Sequence, residues 1–391
     1  MRFQAIIIAI AFTISLGSLV FSQTKTSAPS QAISTDLLEA YRKTQSVSTE
    51  AEVTAIARVC SKVVPDTKRS KADREYAASL LAWSLNRRGE MRSAAAAEKV
   101  ETGNLQYADA LDAKALEDYK TAVEFAPSNW RVHHNLAISL AMKGQYKHAI
   151  DRLNAVIDLK NDYANAYFNR GELNFELKQF PQAIRDYSRA IELTDNDPQY
   201  YNSRGHCRFM LESYEEAIDD YRRAVELGGD SAVYHTDLAD ALQFTGKWKE
   251  AAELYRQAVA INSQYARAYQ NAAWMMATCP DKKFRNTELA VSSAKKAIEL
   301  ESAPTMRAFD TLAAACAATG KMPDAVKYQK RALQLAAVGE RDEVQQRLAL
   351  YERGEAYLQP ESTESQPVQI ATEPKPKIRT ASETSSTRKS R

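Results

Sequence analysis

The sequence predicts an all-α fold, a solenoid of paired helices closed at its C-terminal end by one capping helix. Three observations predict it. Alanine returns at Ala149, Ala183, Ala217 and Ala251 in steps of 34 residues, and self-similarity at such a period marks a stacked array. Between these alanines apolar residues recur at three- and four-residue intervals, so each period carries two amphipathic helices. Small and large residues also keep fixed columns. Ala137, Gly171, Gly205 and Ala239 stand twelve residues before the alanines, and Val156, Ala190, Ala224 and Ala258 seven after. Bulky side chains stand three before (Tyr146, Phe180, Tyr214, Trp248) and four after (Leu153, Tyr187, Tyr221, Tyr255). The small columns let two helix backbones approach closely, and the large ones fill the space beside the crossing.

In chain order, residues 1–22 read as an export signal. Arg2 supplies the positive start, Ala5–Phe21 is an apolar run, and Val20 and Ser22 place small side chains before a cut at Gln23. If uncut, the run is near the lower limit of about 17 residues for spanning a bilayer, so an N-terminal anchor stands as the alternative. Residues 23–72 follow as a linker and helical cap, with helical spacing at Leu37, Leu38 and Tyr41 and at Val53, Ile56 and Val59. Residues 73–129 predict a degenerate unit. Its first helix lies near Glu75–Arg88, Tyr119, Ala122 and Pro127 mark its end, and Ala94–Asp109 reads as a long insertion between its helices.

Four regular units are expected at 130–163, 164–197, 198–231 and 232–265. Two less regular ones follow at 266–305 and 306–338, the first with an enlarged turn over Cys279–Asn286 and the second pairing Ala325 and Ala332 with Ala313 and Gly320. Gly144 and Gly246 suit the left-handed residue that ends a first helix. The period and its small and aromatic columns resemble the tetratricopeptide repeat. That resemblance covers about Glu75 to Leu335 and implies a right-handed α-solenoid. Residues 339–357 form the capping helix, with Val344, Leu348 and Tyr351 on one side. Residues 358–391, rich in Pro, Ser, Thr and Glu, read as a disordered tail.

Two units depart from the pattern. Arg170 and Arg204 replace a first-helix leucine (Leu136, Leu238, Leu312), and sixteen residues later both units carry aspartate, Asp186 and Asp220. These predict two partly buried ion pairs, each bridging the two helices of one unit. Asp118 is an exception, because no arginine stands sixteen residues before it.

The net charge of +2 and the lack of a basic stripe argue against nucleic acid. No phosphate loop, nucleophile elbow or HExxH occurs, so neither an enzyme nor a cofactor or metal site is expected. His133 and His134 are adjacent on a helix and project apart, against shared ligation; His148, His206 and His235 stand alone. Cys60, Cys207, Cys279 and Cys316 have no metal or redox spacing; a Cys279–Cys316 bridge stays open beside buried thiols.

The resemblance implies that first helices line a groove that takes an extended peptide or a partner helix. It places His134, Phe168, Asn202, Thr236 and Gln270 at one level of that groove. Ile138, Glu172, His206, Asp240 and Trp274 form a second, and Phe175, Phe209 and Gln243 a third. The family's carboxylate clamp wants lysine where Phe168, Asn202 and Thr236 stand, so chaperone-tail binding is disfavoured. The expectation is an exported, periplasmic or secreted adaptor for a protein or peptide partner, attached to a membrane only through an uncut N-terminal segment. The alternative is a structural or assembly component of the cell envelope, acting through its convex face or its tail.

Overall fold

The structure, a computed structural model, describes residues 28–29 and 32–360. The export signal at 1–22 and the tail beyond Pro360 lie outside the described residues. Among those described there are seventeen α-helices, two short 3-10 turns and no strand, and no helix is long and apolar enough to cross a membrane. The chain divides into two compact units between Asp195 and Asn196.

The first unit holds α1 (Thr35–Thr44), α2 (Glu50–Val63), α3 (Lys71–Glu101), α4 (Leu105–Phe125), α5 (Trp130–Met142), α6 (Tyr146–Leu159), α7 (Ala164–Glu176) and α8 (Phe180–Leu193). The second holds α9 (Pro198–Met210), α10 (Tyr214–Leu227), α11 (Ala232–Phe244), α12 (Trp248–Ile261), α13 (Ala266–Thr278), α14 (Thr287–Leu300), α15 (Met306–Ala318), α16 (Met322–Leu335) and α17 (Arg341–Glu352). Helix starts follow local chemistry. Thr49 and Glu52 form a capping box on α2, and Asp197 accepts from Gln199 N ahead of α9, whose first residue is Pro198.

Each first helix of the regular repeats ends in one left-handed residue. Gly144, Gly246 and Gly320 take φ of 73°, 76° and 79°. Lys178 and Glu212 adopt the same turn, at φ 59° and 63°, without glycine's freedom. The bonds across the turn match: Gln145 N reaches Leu140 O at 2.9 Å, and Gln179 N reaches Asn174 O at 2.8 Å.

Ala149, Ala183, Ala217 and Ala251 are fully buried. A Cβ added to Gly171 would lie 2.7 Å from the Tyr187 ring, and one added to Gly205 would lie 2.9 Å from Tyr221. The small column is therefore set by direct contact with the large one.

The same contact recurs where the sequence reading expected a degenerate unit: a Cβ on Gly89 would lie 2.6 Å from Tyr119. This corrects the expected long insertion at Ala94–Asp109. Those residues are helical, apart from the turn Thr102–Asn104 in which Gly103 has φ 77°. Tyr119 follows Gly89 by 30 residues, whereas Tyr187 follows Gly171 by 16. Aligned on that contact, α3 and α4 each run seven residues, about two turns, past the ends of α7 and the start of α8. The run Ala94–Ala97 is a strong helix former, and Ala96, Ala108 and Leu111 give the extension a small core of its own.

At the amino-terminal end Leu37, Ile56 and Cys60 pack on Leu80 and Leu81 of α3. At the other end α17 buries Val344, Leu348 and Tyr351. The chain is not released at residue 358, as the sequence reading had it. Gln359 N donates to Thr278 O at 2.8 Å. All four cysteines are buried free thiols, so the alternative of a Cys279–Cys316 bridge falls.

Candidate functional site

In the first unit the expected groove residues turn inward. His134 is fully buried, with Nε2 at 3.1 Å from Asn169 Nδ2. Burial lowers its imidazole to a pKa of about 4, so it is neutral at pH 7. Phe168 is fully buried against Tyr187, centroids 5.7 Å apart. Glu172 is buried and accepts from Tyr187 Oη at 2.6 Å. Only Phe175 reaches the surface in part, and its ring leans on Phe180 at 5.5 Å. Phe168 and Glu172 are used to enclose the large Tyr187 ring, and His134 stacks edge-on against Tyr163 at 5.3 Å.

In the second unit Asn202, Phe209 and Gln270 are likewise buried rather than exposed. Phe209 packs edge-on against Tyr214 and Phe244, at 5.1 and 5.2 Å. His206, Asp240 and Gln243 keep an edge in solvent, and they sit on a connected polar network. Asp237, almost wholly buried, receives Asn202 Nδ2 at 3.0 Å, His206 Nε2 at 3.3 Å and Arg267 Nη1 at 2.8 Å. Burial works against its charge, but Arg267 and His206 outweigh it and hold the carboxyl below the usual carboxylate range. Arg267 Nη2 continues to Asp240 at 2.5 Å, and Asn271 Nδ2 meets the same carboxylate at 2.8 and 3.0 Å. Tyr255 Oη lies 2.6 Å from Asp240 and 2.9 Å from Gln243. Sequence reasoning named His206, Asp240 and Gln243 but missed Asp237, Arg267, Asn271 and Tyr255, which fix them. A signal existed: Asp237 stands in a column that holds Asn135, Asn169, Ser203 and Asn271 in neighbouring units.

Trp274 is not an open groove residue. Tyr357 lies against its ring at 5.8 Å, and the Arg347 guanidinium lies 5.5 Å from it.

The two arginine–aspartate pairs lie as bidentate bridges. Arg170 Nη2 and Nε reach Asp186 at 2.6 and 3.0 Å, and Asn174 Nδ2 adds a third contact at 3.0 Å. Arg204 reaches Asp220 at 2.7 and 3.0 Å, with Arg208 Nη1 at 2.6 Å. Asp118 is no exception after all. Arg88 meets it at 2.6 and 2.9 Å and Arg92 at 2.7 Å, the longer hairpin having moved the partner to 30 residues upstream. Each carboxylate is held by two or more donors between the helices of one hairpin.

Models of the tetratricopeptide repeat match residues 164–197 and 197–264, and a further TPR repeat model matches 139–178. Residues 139–264 are tetratricopeptide repeats. Such repeats are protein–protein interaction scaffolds, and among the described residues no group of His, Cys, Asp and Glu is placed to hold a metal. Similar solved structures include a tetratricopeptide repeat protein from Parabacteroides merdae, at 18% identity over 68% of this chain and 98% of that one, TM-score 0.48. Yeast Tom70 is 17% identical over 89% of this chain and 69% of its own, TM-score 0.45. YrrB, titled a TPR protein with an unusual peptide-binding site, is 21% identical over 49% and 96%, TM-score 0.41. At these values the likeness of this repeat protein to them is one of helical hairpins alone. A search among curated proteins finds no match.

Proposed function

We propose that the chain is an exported, non-enzymatic adaptor that holds an extended peptide segment of a protein partner along the first helices of its second unit. The observation that carries this reading is the network through Asp237, Arg267 and Asp240. It presents the edges of His206, Asp240 and Gln243 to solvent in fixed orientations, with Asp240 24% exposed at its side chain. Groups already held by neighbours lose little freedom on binding, which is how preorganised surfaces gain affinity. The apolar run at Ala5–Phe21 with its small residues supports export.

The test is a displayed peptide library selected on the full chain. Selected peptides are expected to bind His206→Ala and Gln243→Ala about tenfold more weakly, a loss of about 1.4 kcal/mol. Lys295→Ala, on the exposed side of α14, leaves binding unchanged. Equal affinity for all four chains rejects the site. Export is read separately by N-terminal sequencing after expression in a double-membrane bacterium, where a mature chain starting at Gln23 is expected.

A further inference from the structure

After α17 the chain turns at Gly354 (φ 79°), where Glu355 N closes the turn on Leu350 O at 3.0 Å. It then runs back to α13 without regular structure. Burial along this run alternates: Tyr357 and Gln359 are partly covered, while Ala356, Leu358 and Pro360 are exposed, Leu358 by 43%. Alternation of that kind belongs to an extended segment with every second side chain facing a surface. The surface is the end of α13. The Tyr357 ring lies 5.8 Å from the Trp274 ring, and one guanidinium, that of Arg347, lies 5.5 Å from the first ring and 5.7 Å from the second. Arg347 is itself held by Asp310 at 2.9 Å. The last contact is backbone to backbone, Gln359 N to Thr278 O at 2.8 Å, and it uses a helix-terminal carbonyl that has no partner within its own helix.

We propose that Glu355–Pro360 is a built-in ligand, a strap that fills a peptide site at the end of α13. That site recognises an extended segment with an aromatic residue two positions before a free backbone N–H. The inference rests on the peptide-adaptor reading above and adds both a ligand preference and a mode of regulation. The ring contact, the shared guanidinium and the backbone bond all hold the strap, so a peptide with the same features competes for the same anchors. A site occupied by its own chain shows an outside ligand an affinity reduced by the fraction of time it stands open.

The probe is a fluorescein-labelled peptide with the sequence of Arg353–Pro360, titrated into full-length chains and read by anisotropy. Tyr357→Ala and Gln359→Pro, combined in the full chain, remove the ring and the N–H of the strap and leave α13 untouched. The expected result is binding to this released chain at least about tenfold tighter than to the wild type. Binding is lost when Trp274→Ala is added, or when the probe's tyrosine becomes alanine. Gln359→Pro alone should give an intermediate affinity. Circular dichroism confirms that each variant keeps its helix content. Equal binding to wild-type and released chains overturns the proposal, as does no binding to either. If that happens while library peptides still depend on His206 and Gln243, the strap alone is rejected. If the probe binds through Trp274 while library peptides ignore His206 and Gln243, the strap stands and the adaptor surface proposed above is wrong.

Discussion

His134 shows how a polar residue in a repeat can be structural. Its ring is fully buried and neutral, with burial lowering its pKa from 6.5 to about 4. The sign follows: below pH 6.5 the unfolded chain takes up a proton that the folded chain refuses until about pH 4. Stability is therefore complete above 6.5 and falls through that window, by up to about 3 kcal/mol for this one group at about 1.4 kcal/mol per unit. His134→Gln, the residue that column carries at Gln270, should flatten urea-denaturation midpoints measured between pH 6.5 and 4; an unchanged slope refutes the assignment. Lys178 offers the opposite case. Its left-handed φ of 59° costs about 1–2 kcal/mol, while glycine there raises unfolded-chain entropy by about 0.4–1 kcal/mol. Lys178→Gly should therefore stabilise, by up to about 1.5 kcal/mol, visible as a higher thermal midpoint. The columns themselves were legible at this scale, but their exposure was not. Thr236, for instance, is fully buried because its own Oγ1 donates to Ala232 O at 2.8 Å, so a polar residue type gave no guide to solvent.

At the scale of the helical hairpin, the recurring pattern is Arg-Gly in the first helix and Asp-Tyr in the second: Arg88-Gly89 with Asp118-Tyr119, Arg170-Gly171 with Asp186-Tyr187, Arg204-Gly205 with Asp220-Tyr221. The glycine admits the tyrosine ring, and the arginine lands on the aspartate. The next hairpin replaces both charges together, with Leu238 and Leu254. Arg204→Leu alone strands Asp220, whose side chain is 4% exposed. Removing one partner of a buried pair costs about 3–5 kcal/mol, here nearer the lower end because Arg208 remains. Arg204→Leu with Asp220→Leu should recover most of that loss, and a double-mutant cycle with no coupling rejects the account. The partner of Asp118 was missed because a fixed offset of sixteen cannot find an arginine that the longer helices move to 30 residues away. The dipeptides held the clue, since they keep their identity when the spacing changes. Deleting Ala95–Glu101 and Leu105–Leu111 should accordingly leave a folded chain with its Arg88–Asp118 bridge, and with a thermal midpoint lowered by only a few degrees. A collapse of helix content instead would mean that the extension supports the hairpin.

Across the molecule the hydrophobic clusters are local, each drawing on hairpins adjacent in sequence. Arrays of this kind owe their stability to each repeat and its immediate neighbours. Ala183→Leu, at a fully buried crossing, should cost about 1–3 kcal/mol. Hydrogen exchange should speed first in α7 and α8, while amides of α14–α16 keep their protection. Uniform loss of protection over the whole chain contradicts local stabilisation. Periodicity made the class of fold readable at this scale. The strap was not readable, since Tyr357 and Gln359 lie in a polar stretch whose composition resembles the tail that follows, and only the placement of Trp274 gives them a purpose.

Because α3 and α4 lengthen by whole turns together, their shared tip at Thr102–Asn104 stands about 10 Å beyond the level where its neighbours turn. Such a mast tolerates cargo. An epitope or dye mounted there rides on a two-helix stem whose rotation about its own axis is unchanged by the added length, clear of the contacts that keep the repeats stacked.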